Sequence, residues 1–143
     1  MASHELSKQE ALAKAQVYCA RAEHCAADVR RKLYEWGAAP DSFDFIEQNL
    51  YADGYLNDAR FCRAYVHDKV AYQSWGRLKI RAGLQALQLP SDAIATALAD
   101  LDEEQYTANL QALLQQRRKD SEEKRLRFLL QRGFTYDEIK KCK

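Results

Sequence analysis

The chain has 143 residues, the length of one ordinary domain, and contains no run of eighteen apolar residues that could cross a membrane. It is rich in strong helix formers and has only two prolines. The net charge of +1 alone predicts no partner, and the four cysteines lack Cys-x-x-Cys spacing, so we expect reduced thiols. The first residues, Met1–Glu5, lack the basic and apolar regions of a secretory signal, which predicts a cytoplasmic protein.

Charge is distributed unevenly along the chain. Residues 1–58 contain 6 basic and 10 acidic groups, and residues 59–99 contain 6 basic and 2 acidic groups. Residues 100–143 contain 10 basic and 9 acidic groups. The middle of the chain is therefore basic, which favours either a polyanionic or acidic partner or an ordinary solvated helix surface.

Three helices are predicted in the first third of the chain. Ser7 and Glu10 fit a capping box, so the first helix should begin near Ser7. The second covers residues 26–36 and ends at Gly37, and the third opens at Pro40. Apolar residues recur at helical spacing on one face of each predicted helix: Leu12, Ala15, Cys19 and Ala22, then Val29, Leu33 and Trp36, then Phe43, Ile46 and Leu50.

Three more helices are predicted in the middle of the chain. Asn57 is a good N-cap for a fourth helix that runs to about Tyr72, and Ser74 can cap a fifth. Leu89 and Pro90 introduce the sixth. The expected buried residues are Phe61, Tyr65 and Val66, then Ile80, Leu84 and Leu87, then Ile94 and Leu98.

The last third predicts three further helices. Asp102 can cap the seventh, the eighth begins near Ser121 and stops at Gly133, and Thr135 with Glu138 fits a capping box for the ninth. Their apolar faces hold Tyr106, Leu110, Leu113 and Leu114, then Leu126, Leu129 and Leu130, then Ile139. Since no segment alternates like a half-buried strand, the chain is predicted to be all-α with about nine helices.

The nine helices fall into three groups of three. The helix stops at residues 37, 88 and 133 are 51 and 45 residues apart, and an apolar anchor returns six residues after each stop. This period is typical of helical repeats. We therefore predict three tandem three-helix repeats, residues 1–56, 57–101 and 102–143, stacked into one elongated, curved array with a concave surface.

The second helix of each predicted repeat is basic. Stacked repeats would bring these side chains into a row suited to phosphates or carboxylates, although Arg and Lys are also ordinary residues of helix surfaces. The candidate partner-binding residues are Arg30, Arg31, Lys32, Arg77, Lys79, Arg81, Lys124, Arg125, Arg127 and Arg132.

Catalytic and metal-binding patterns are poor. His4, His24 and His67 share no pattern with a nucleophile, and no phosphate-binding Gly-rich loop occurs. The Cys and His spacings do not match a zinc finger. A calcium loop at residues 53–58 would have its glycine in the wrong place and Ala64 where a Glu is needed. We expect no enzyme activity, no metal and no cofactor.

Aromatic side chains allow two interpretations. They could stack on single-stranded bases, but at helical spacing beside Leu and Val they are more often core residues. The residues concerned are Tyr18, Tyr34, Trp36, Tyr65, Tyr72, Trp75 and Tyr106.

One stretch, residues 53–61 with the sequence DGYLNDARF, resembles the G-Y-L-D-D-x-R-F motif of RecX regulatory proteins. The motif residues present here are Gly54, Tyr55, Leu56, Asp58, Arg60 and Phe61. Similar stretches follow at residues 63–66, 75–84 and 127–134, and residues 29–33 resemble the family's basic helix with Asp28 in place of Glu. The resemblance covers roughly residues 9–141.

The resemblance implies tandem three-helix repeats and a regulatory function. Such a protein binds the RecA recombinase, chiefly as a filament on single-stranded DNA, and inhibits ATP hydrolysis, strand exchange and filament extension in homologous recombination and the SOS response. It implies a cytoplasmic monomer that lies in the filament groove and binds single- or double-stranded DNA weakly. The alternative is a helical DNA-binding module that acts on nucleic acid without RecA.

The sequence departs from the family pattern at helix ends. Cys25 stands where the first repeat usually has a capping Ser, Gly76 stands there in the second, and Gln88 replaces a Gly stop. Within the motif stretch, we expect Asn57 or Asp58 to cap a helix. Arg60 should pair with an acid such as Asp53 or Asp58. Tyr55 and Leu56 should pack between the first two repeats.

Overall fold

The computed structural model describes residues 6–142, so the prediction made from Met1–Glu5 lies outside the described residues. Within that range the all-α prediction is confirmed, with one isolated bridge between Leu6 and Ala38. The α-helices are α1 (Lys8–Arg21), α2 (Ala26–Glu35), α3 (Phe43–Ala52), α4 (Asp58–Asp68), α5 (Arg77–Ala86), α6 (Ser91–Ala99), α7 (Glu103–Gln116), α8 (Glu122–Gln131) and α9 (Tyr136–Lys141).

Side-chain caps begin most of the helices where the sequence predicts them. Ser7 and Glu10 form the capping box of α1, and Thr135 and Glu138 form that of α9. The side-chain oxygens of Asn57, Asp102 and Ser121 accept backbone N–H groups three residues on, at 2.9 to 3.1 Å. Such local bonds satisfy donors that a helix cannot satisfy itself, so they are readable from the sequence.

The segment between α4 and α5 differs from the prediction. The α-helical pattern ends at Asp68 and continues as a five-residue π-helix, Lys69–Gln73. Ser74 does not cap the fifth helix: it has a left-handed φ of 53° and ends the π-helix, while Gly76 is the N-cap of α5. The prediction was wrong because a left-handed residue turns the chain here and the helix begins after that turn.

The chain divides into two compact units at the boundary between Phe61 and Cys62, within α4. In the first unit α1, α2 and α3 pack on one another, and a short 3-10 turn, Pro40–Ser42, introduces α3. Its core contains Ala11, Ala15, Cys19, Val29, Leu33, Ala38, Ile46, Leu50 and Leu56. The predicted faces of α2 and α3 are thus largely confirmed.

The second unit holds residues 62–142 of the described chain. Helix α5 packs on α6, α8 packs on α9, and α7 packs on the π-helix. Its buried side chains include Val66, Val70, Ile80, Leu84, Ile94, Leu98, Tyr106, Leu110, Leu129, Phe134 and Ile139. The division into three repeats at residues 57 and 102 stays a prediction.

The three predicted helix stops all have left-handed backbone. Gly37 has a φ of 81° and Gly133 a φ of 100°, which glycine adopts without a Cβ penalty. Gln88 has a φ of 64° at the second stop, where its side chain makes that conformation costly. None of the described helices is long and apolar enough to span a bilayer.

Candidate partner-binding residues

Two of the predicted basic residues in the first unit differ in their surroundings. Arg30 donates to Asp44 at 2.6 Å and to Glu47 at 2.7 Å, and these hydrogen bonds raise its pKa. Arg30 therefore joins α2 to α3. The Arg31 side chain is 60% exposed and lies 3.9 Å from both Asp28 and Glu35, too far for close hydrogen bonds. Pairs of this kind contribute little stability, so Arg31 is available to a partner.

Lys32 lies beside an aromatic ring of α1. Its Nζ is 3.4 Å from a Glu35 oxygen and 5.7 Å from the centre of the Tyr18 ring. The side chain is 34% exposed, so part of the stem is covered while the ammonium can still reach solvent.

Arg77 of the second unit is held by several groups. Its guanidinium pairs with Glu103 and with Glu138, the latter at 2.8 Å, and lies 4.4 Å from the centre of the Tyr106 ring. Burial lowers the pKa of Arg77, but the Glu138 hydrogen bond and the neighbouring carboxylates outweigh it and leave the pKa raised. Arg77 thus joins α5, α7 and α9.

Lys79 and Arg81, on the same helix as Arg77, are exposed. The Lys79 Nζ lies 4.4 Å from the centre of the Trp75 ring. Its exposed ammonium remains accessible to a polar partner.

The predicted basic residues of α8 and its end also fall into two kinds. Arg125 donates to the carbonyls of Arg117 and Asp120 at 3.1 and 2.9 Å, closing the end of α7. Arg132 donates to the carbonyl of Gln73 at the end of the π-helix. Lys124 is exposed, and the Arg127 side chain is 64% exposed, with Glu123 at 3.5 Å.

The ten predicted residues therefore separate into structural and solvent-facing groups. The structural group, bound within its own unit, contains Arg30, Arg77, Arg125 and Arg132. The solvent-facing cations are the exposed Arg31, Lys79, Arg81, Lys124 and Arg127 and the half-buried Lys32, whose ammonium lies 3.4 Å from Glu35. Each of the three predicted second helices keeps at least one solvent-facing cation.

The motif stretch, residues 53–61, forms a turn that is bound within the first unit. Gly54 has a φ of 79°, Leu56 is 2% exposed and lies in the first unit's core, and Tyr55 packs against that core. Asp58 accepts a hydrogen bond from the Tyr51 hydroxyl at 2.7 Å, and Phe61 is buried. Burial and the Asp58 hydrogen bond raise the pKa of Tyr51.

Arg60 has a different partner from the one predicted. Its Nε donates to Glu23 at 2.5 Å, and its Nη2 donates to the carbonyls of Gly54 and Tyr55 at 3.1 and 3.2 Å. The partner is an acid, as expected, but it is Glu23, and the suggested Asp53 and Asp58 were wrong. The guanidinium instead closes the 53–56 turn onto the segment after α1, a contact that local spacing could not indicate.

Two glycines form a junction that the sequence pattern does not indicate. The N–H groups of Gly76 and Leu78 donate to the carbonyls of Arg132 and Gly133 at 2.8 and 3.0 Å. A Cβ on Gly76 would lie 2.2 Å from the Gly133 carbonyl carbon. The N-cap and the second residue of α5 thus donate to the carbonyls that follow α8, a close approach that only glycine at position 76 allows. The N–H of Arg77 between them donates to the Tyr106 hydroxyl.

The described residues offer little for catalysis. A pocket of about 350 Å³ in the second unit is lined by Val66, Val70, Leu101, Arg63 and His67 among others, without a Ser, Thr or Cys nucleophile among its lining residues. No group of three or more His, Cys, Asp or Glu within residues 6–142 is placed to hold a metal ion. Burial raises the pKa of the Cys19 and Cys25 thiols to about 11, so both are poor nucleophiles near neutral pH.

Comparison with known proteins gives sequence relatives over most of the chain. Residues 57–98 match the family model described as RecX, second three-helix domain. The chain is 35% identical over 97 residues to the Regulatory protein RecX of Xanthomonas oryzae pv. oryzae strain MAFF 311018, covering 68% of this chain. It spans 59% of that relative's length. It is 29% identical to the Regulatory protein RecX of Herbaspirillum seropedicae, covering 91% of this chain and 86% of the relative.

Solved structures show the same fold. The crystal structure of RecX from Lactobacillus salivarius matches with a TM-score of 0.78 at 19% identity, over 94% of this chain and 93% of the other. A second crystal structure, of regulatory protein RecX, also gives a TM-score of 0.78 at 19% identity, over 99% of this chain and 81% of the other. These similarities extend through both units of the chain.

Proposed function

Because this chain belongs to the RecX family of regulatory proteins, we propose that it binds the RecA recombinase and inhibits it. The target is chiefly the RecA filament on single-stranded DNA. Binding lowers ATP hydrolysis, strand exchange and filament extension. The protein acts in the cytoplasm as a monomer, without catalysis or a cofactor of its own, in homologous recombination and the SOS response.

The observation that supports this proposal is the recurrence of solvent-facing cations on α2, α5 and α8. Each of these three helices has such an exposed cation: Arg31 on α2, Lys79 on α5 and Arg127 on α8. The ion pairs of Arg31 and Arg127 are long, at 3.5 to 3.9 Å, and Lys79 lies over an aromatic ring. Because such contacts are weak, a carboxylate-rich partner can replace them at little cost.

The proposed mechanism requires only that the protein binds the filament, without catalysing a reaction. The protein lies in the helical groove of the filament and touches neighbouring RecA protomers. Occupation of the groove obstructs both filament extension and the conformational cycling that accompanies ATP hydrolysis. The structural arginines keep the helices in place, while the solvent-facing cations make the contact.

A charge-reversal experiment tests the role of these cations. The triple variant Arg31→Glu, Lys79→Glu, Arg127→Glu should need about tenfold more protein to inhibit RecA ATPase on single-stranded DNA, since three charged contacts are lost. The matched control reverses Lys8, Lys119 and Lys140, three exposed lysines outside α2, α5 and α8. Equal inhibition by the two triple variants would place the contact elsewhere.

The second candidate function is direct binding to nucleic acid. It is favoured by aromatic rings that lie beneath lysine ammonium groups in both units, for example Trp36 beneath Lys14 and Trp75 beneath Lys79. This function predicts tight binding to bare DNA whose affinity falls steeply with salt, because each neutralised phosphate releases counterions. The RecA function predicts modest affinity for bare DNA and strong inhibition of the filament.

A further inference from the structure

A cleft between α1 and α2 in the first unit combines cations with aromatic rings. It has a volume of about 360 Å³ and is lined by Lys14, Val17, Tyr18, Arg21, Lys32 and Trp36. None of these lining residues is acidic, although Glu35 lies 3.4 Å from the Lys32 ammonium. We refer to these six lining residues as the aromatic cleft.

The rings of the aromatic cleft are fixed in place. The Tyr18 ring stacks on His24 with 3.7 Å between centroids and lies perpendicular to the Trp36 ring at 6.1 Å. Both Tyr18 and Trp36 also pack against the core of the first unit. A ligand that stacks here therefore meets a preorganised surface and orders few side chains on binding.

Lysine ammonium groups cover the rings in the structure. The Nζ of Lys14 lies 4.7 Å from the centre of the Trp36 ring, and that of Lys32 lies 5.7 Å from the centre of Tyr18. Lysine stems are long and flexible, and an exposed contact of a cation with a ring is weak. An incoming flat ring can take the place of the Lys14 ammonium, which then remains within reach of an anion attached to that ring.

We propose that the aromatic cleft binds one unpaired nucleotide of a single-stranded nucleic acid. The base stacks on Trp36 beside Tyr18, and the flanking phosphates pair with Lys14, Arg21 and Lys32. This site rests on the nucleic-acid-binding candidate function above and deepens it by naming where the strand binds. An acidic peptide would contact the cations alone and would not use the Trp36 ring for binding.

The first unit supplies a matched control for both parts of the site. Lys8, on the same helix as Lys14, holds its Nζ 4.6 Å from the centre of the Phe45 ring. This pair reproduces a lysine over an aromatic ring, but neither residue lines the cleft. Lys8→Gln and Phe45→Leu are therefore the controls for Lys14→Gln and Trp36→Leu.

The test measures binding of a dye-labelled oligothymidylate of about twelve nucleotides, without RecA, over a range of salt. Trp36→Leu should weaken binding at least about fivefold because one base loses its stacking partner. Lys14→Gln, which leaves the rings intact, should reduce the slope of log affinity against log salt by about 0.7. In a Trp75→Phe background, Trp36 emission should be quenched on binding.

Three results would overturn the site. The first is equal oligonucleotide affinity of the cleft variants and their controls, and the second is unchanged Trp36 emission at saturating oligonucleotide. The third is that polyglutamate displaces the oligonucleotide completely, binds more weakly to Lys14→Gln and binds equally well to Trp36→Leu. RecA inhibition is measured separately on the same variants. A failure of nucleotide binding with inhibition intact would reject the cleft and leave the RecA proposal standing.

Discussion

Helices α2 and α5 occupy corresponding places in the sequence pattern but begin in different ways. Before α2, the Cys25 N–H donates to the Asp28 carboxylate at 3.2 Å, a bond between residues three apart. At the start of α5, the N–H groups of Gly76 and Leu78 donate to the carbonyls of Arg132 and Gly133. The N–H of Arg77 donates to the Tyr106 hydroxyl at 3.0 Å. The beginning of α2 is thus determined locally, whereas that of α5 depends on a distant helix being in place.

The same contrast applies to the first arginine of each helix. Arg30 pairs with Asp44 and Glu47 on the neighbouring helix, and its side chain is 40% exposed. Arg77 is 29% exposed and pairs with Glu103 and Glu138, which belong to two other helices. The first arginine of α2 therefore joins two helices, whereas the first arginine of α5 joins three.

The largest expected effect comes from breaking the glycine junction. Gly76→Ala should lower the free energy of unfolding by at least about 3 kcal/mol, because the new methyl group would overlap the Gly133 backbone. Gly37→Ala, where a Cβ would meet nothing within 4 Å, should cost only about 1 kcal/mol from its positive φ. Urea unfolding followed by circular dichroism gives both values, and equal losses would refute the role assigned to the junction.

Single-tryptophan variants show where the stability is lost. Trp36 lies in the first unit and Trp75 in the second, so Trp75→Phe and Trp36→Phe each leave a reporter of one unit. Gly76→Ala should shift the transition seen by Trp75 more than that seen by Trp36.

The next effect distinguishes the two arginines. Arg77→Ala should destabilise the protein by about 2 kcal/mol because it leaves the partly buried Glu138 carboxylate without its charged partner. Arg30→Ala should cost about 1 kcal/mol, since its carboxylate partners are more accessible to water. Chemical denaturation of the two variants measures the difference, and a larger loss for Arg30→Ala would reverse the comparison.

The first unit should also lose stability at alkaline pH. Burial raises the pKa of Cys19 and Cys25 from 9.0 to about 11, so the folded state favours the neutral thiols. Their contribution is complete below pH 9 and is lost as pH rises towards 11, by about 1 kcal/mol for each thiol near pH 10. In the double variant Cys19→Ala, Cys25→Ala, the free energy of unfolding should fall less steeply between pH 9 and pH 11. An unchanged slope of unfolding free energy against pH would show that other groups cause the loss of stability.

The smallest effect concerns the helix stop at Gln88. Gly37 and Gly133 adopt left-handed backbone freely, but Gln88 adopts a φ of 64° with a side chain in place. Gln88→Gly should therefore raise the melting temperature and stabilise the protein by up to about 1 kcal/mol. A loss of stability would mean that the Gln88 side chain stabilises the protein by more than its left-handed backbone costs.

Local chemistry made most of the fold predictable from sequence. Caps such as Ser7 with Glu10 and Thr135 with Glu138 act between residues three apart, and the apolar spacing of α2 and α3 matches the first unit's core. The DGYLNDARF stretch correctly identified the family. These features depend on the chain within one or two helical turns.

What the sequence did not predict depends on distant partners. The start of α5, the pairing of Arg60 with Glu23 and the structural task of Arg77 all require residues far along the chain. Helical spacing alone placed Arg77 in the same class as Lys79, although only Lys79 faces solvent. The partner contacts of the solvent-facing cations stay predictions.

The most direct test of the proposed regulatory function is a titration of this protein into RecA bound to single-stranded DNA, with ATP hydrolysis as the readout. We predict that hydrolysis falls as the protein is added and reaches its lowest level at or below equimolar amounts. Unchanged hydrolysis at saturating protein, with the chain folded by circular dichroism, would contradict the proposal that this chain inhibits RecA.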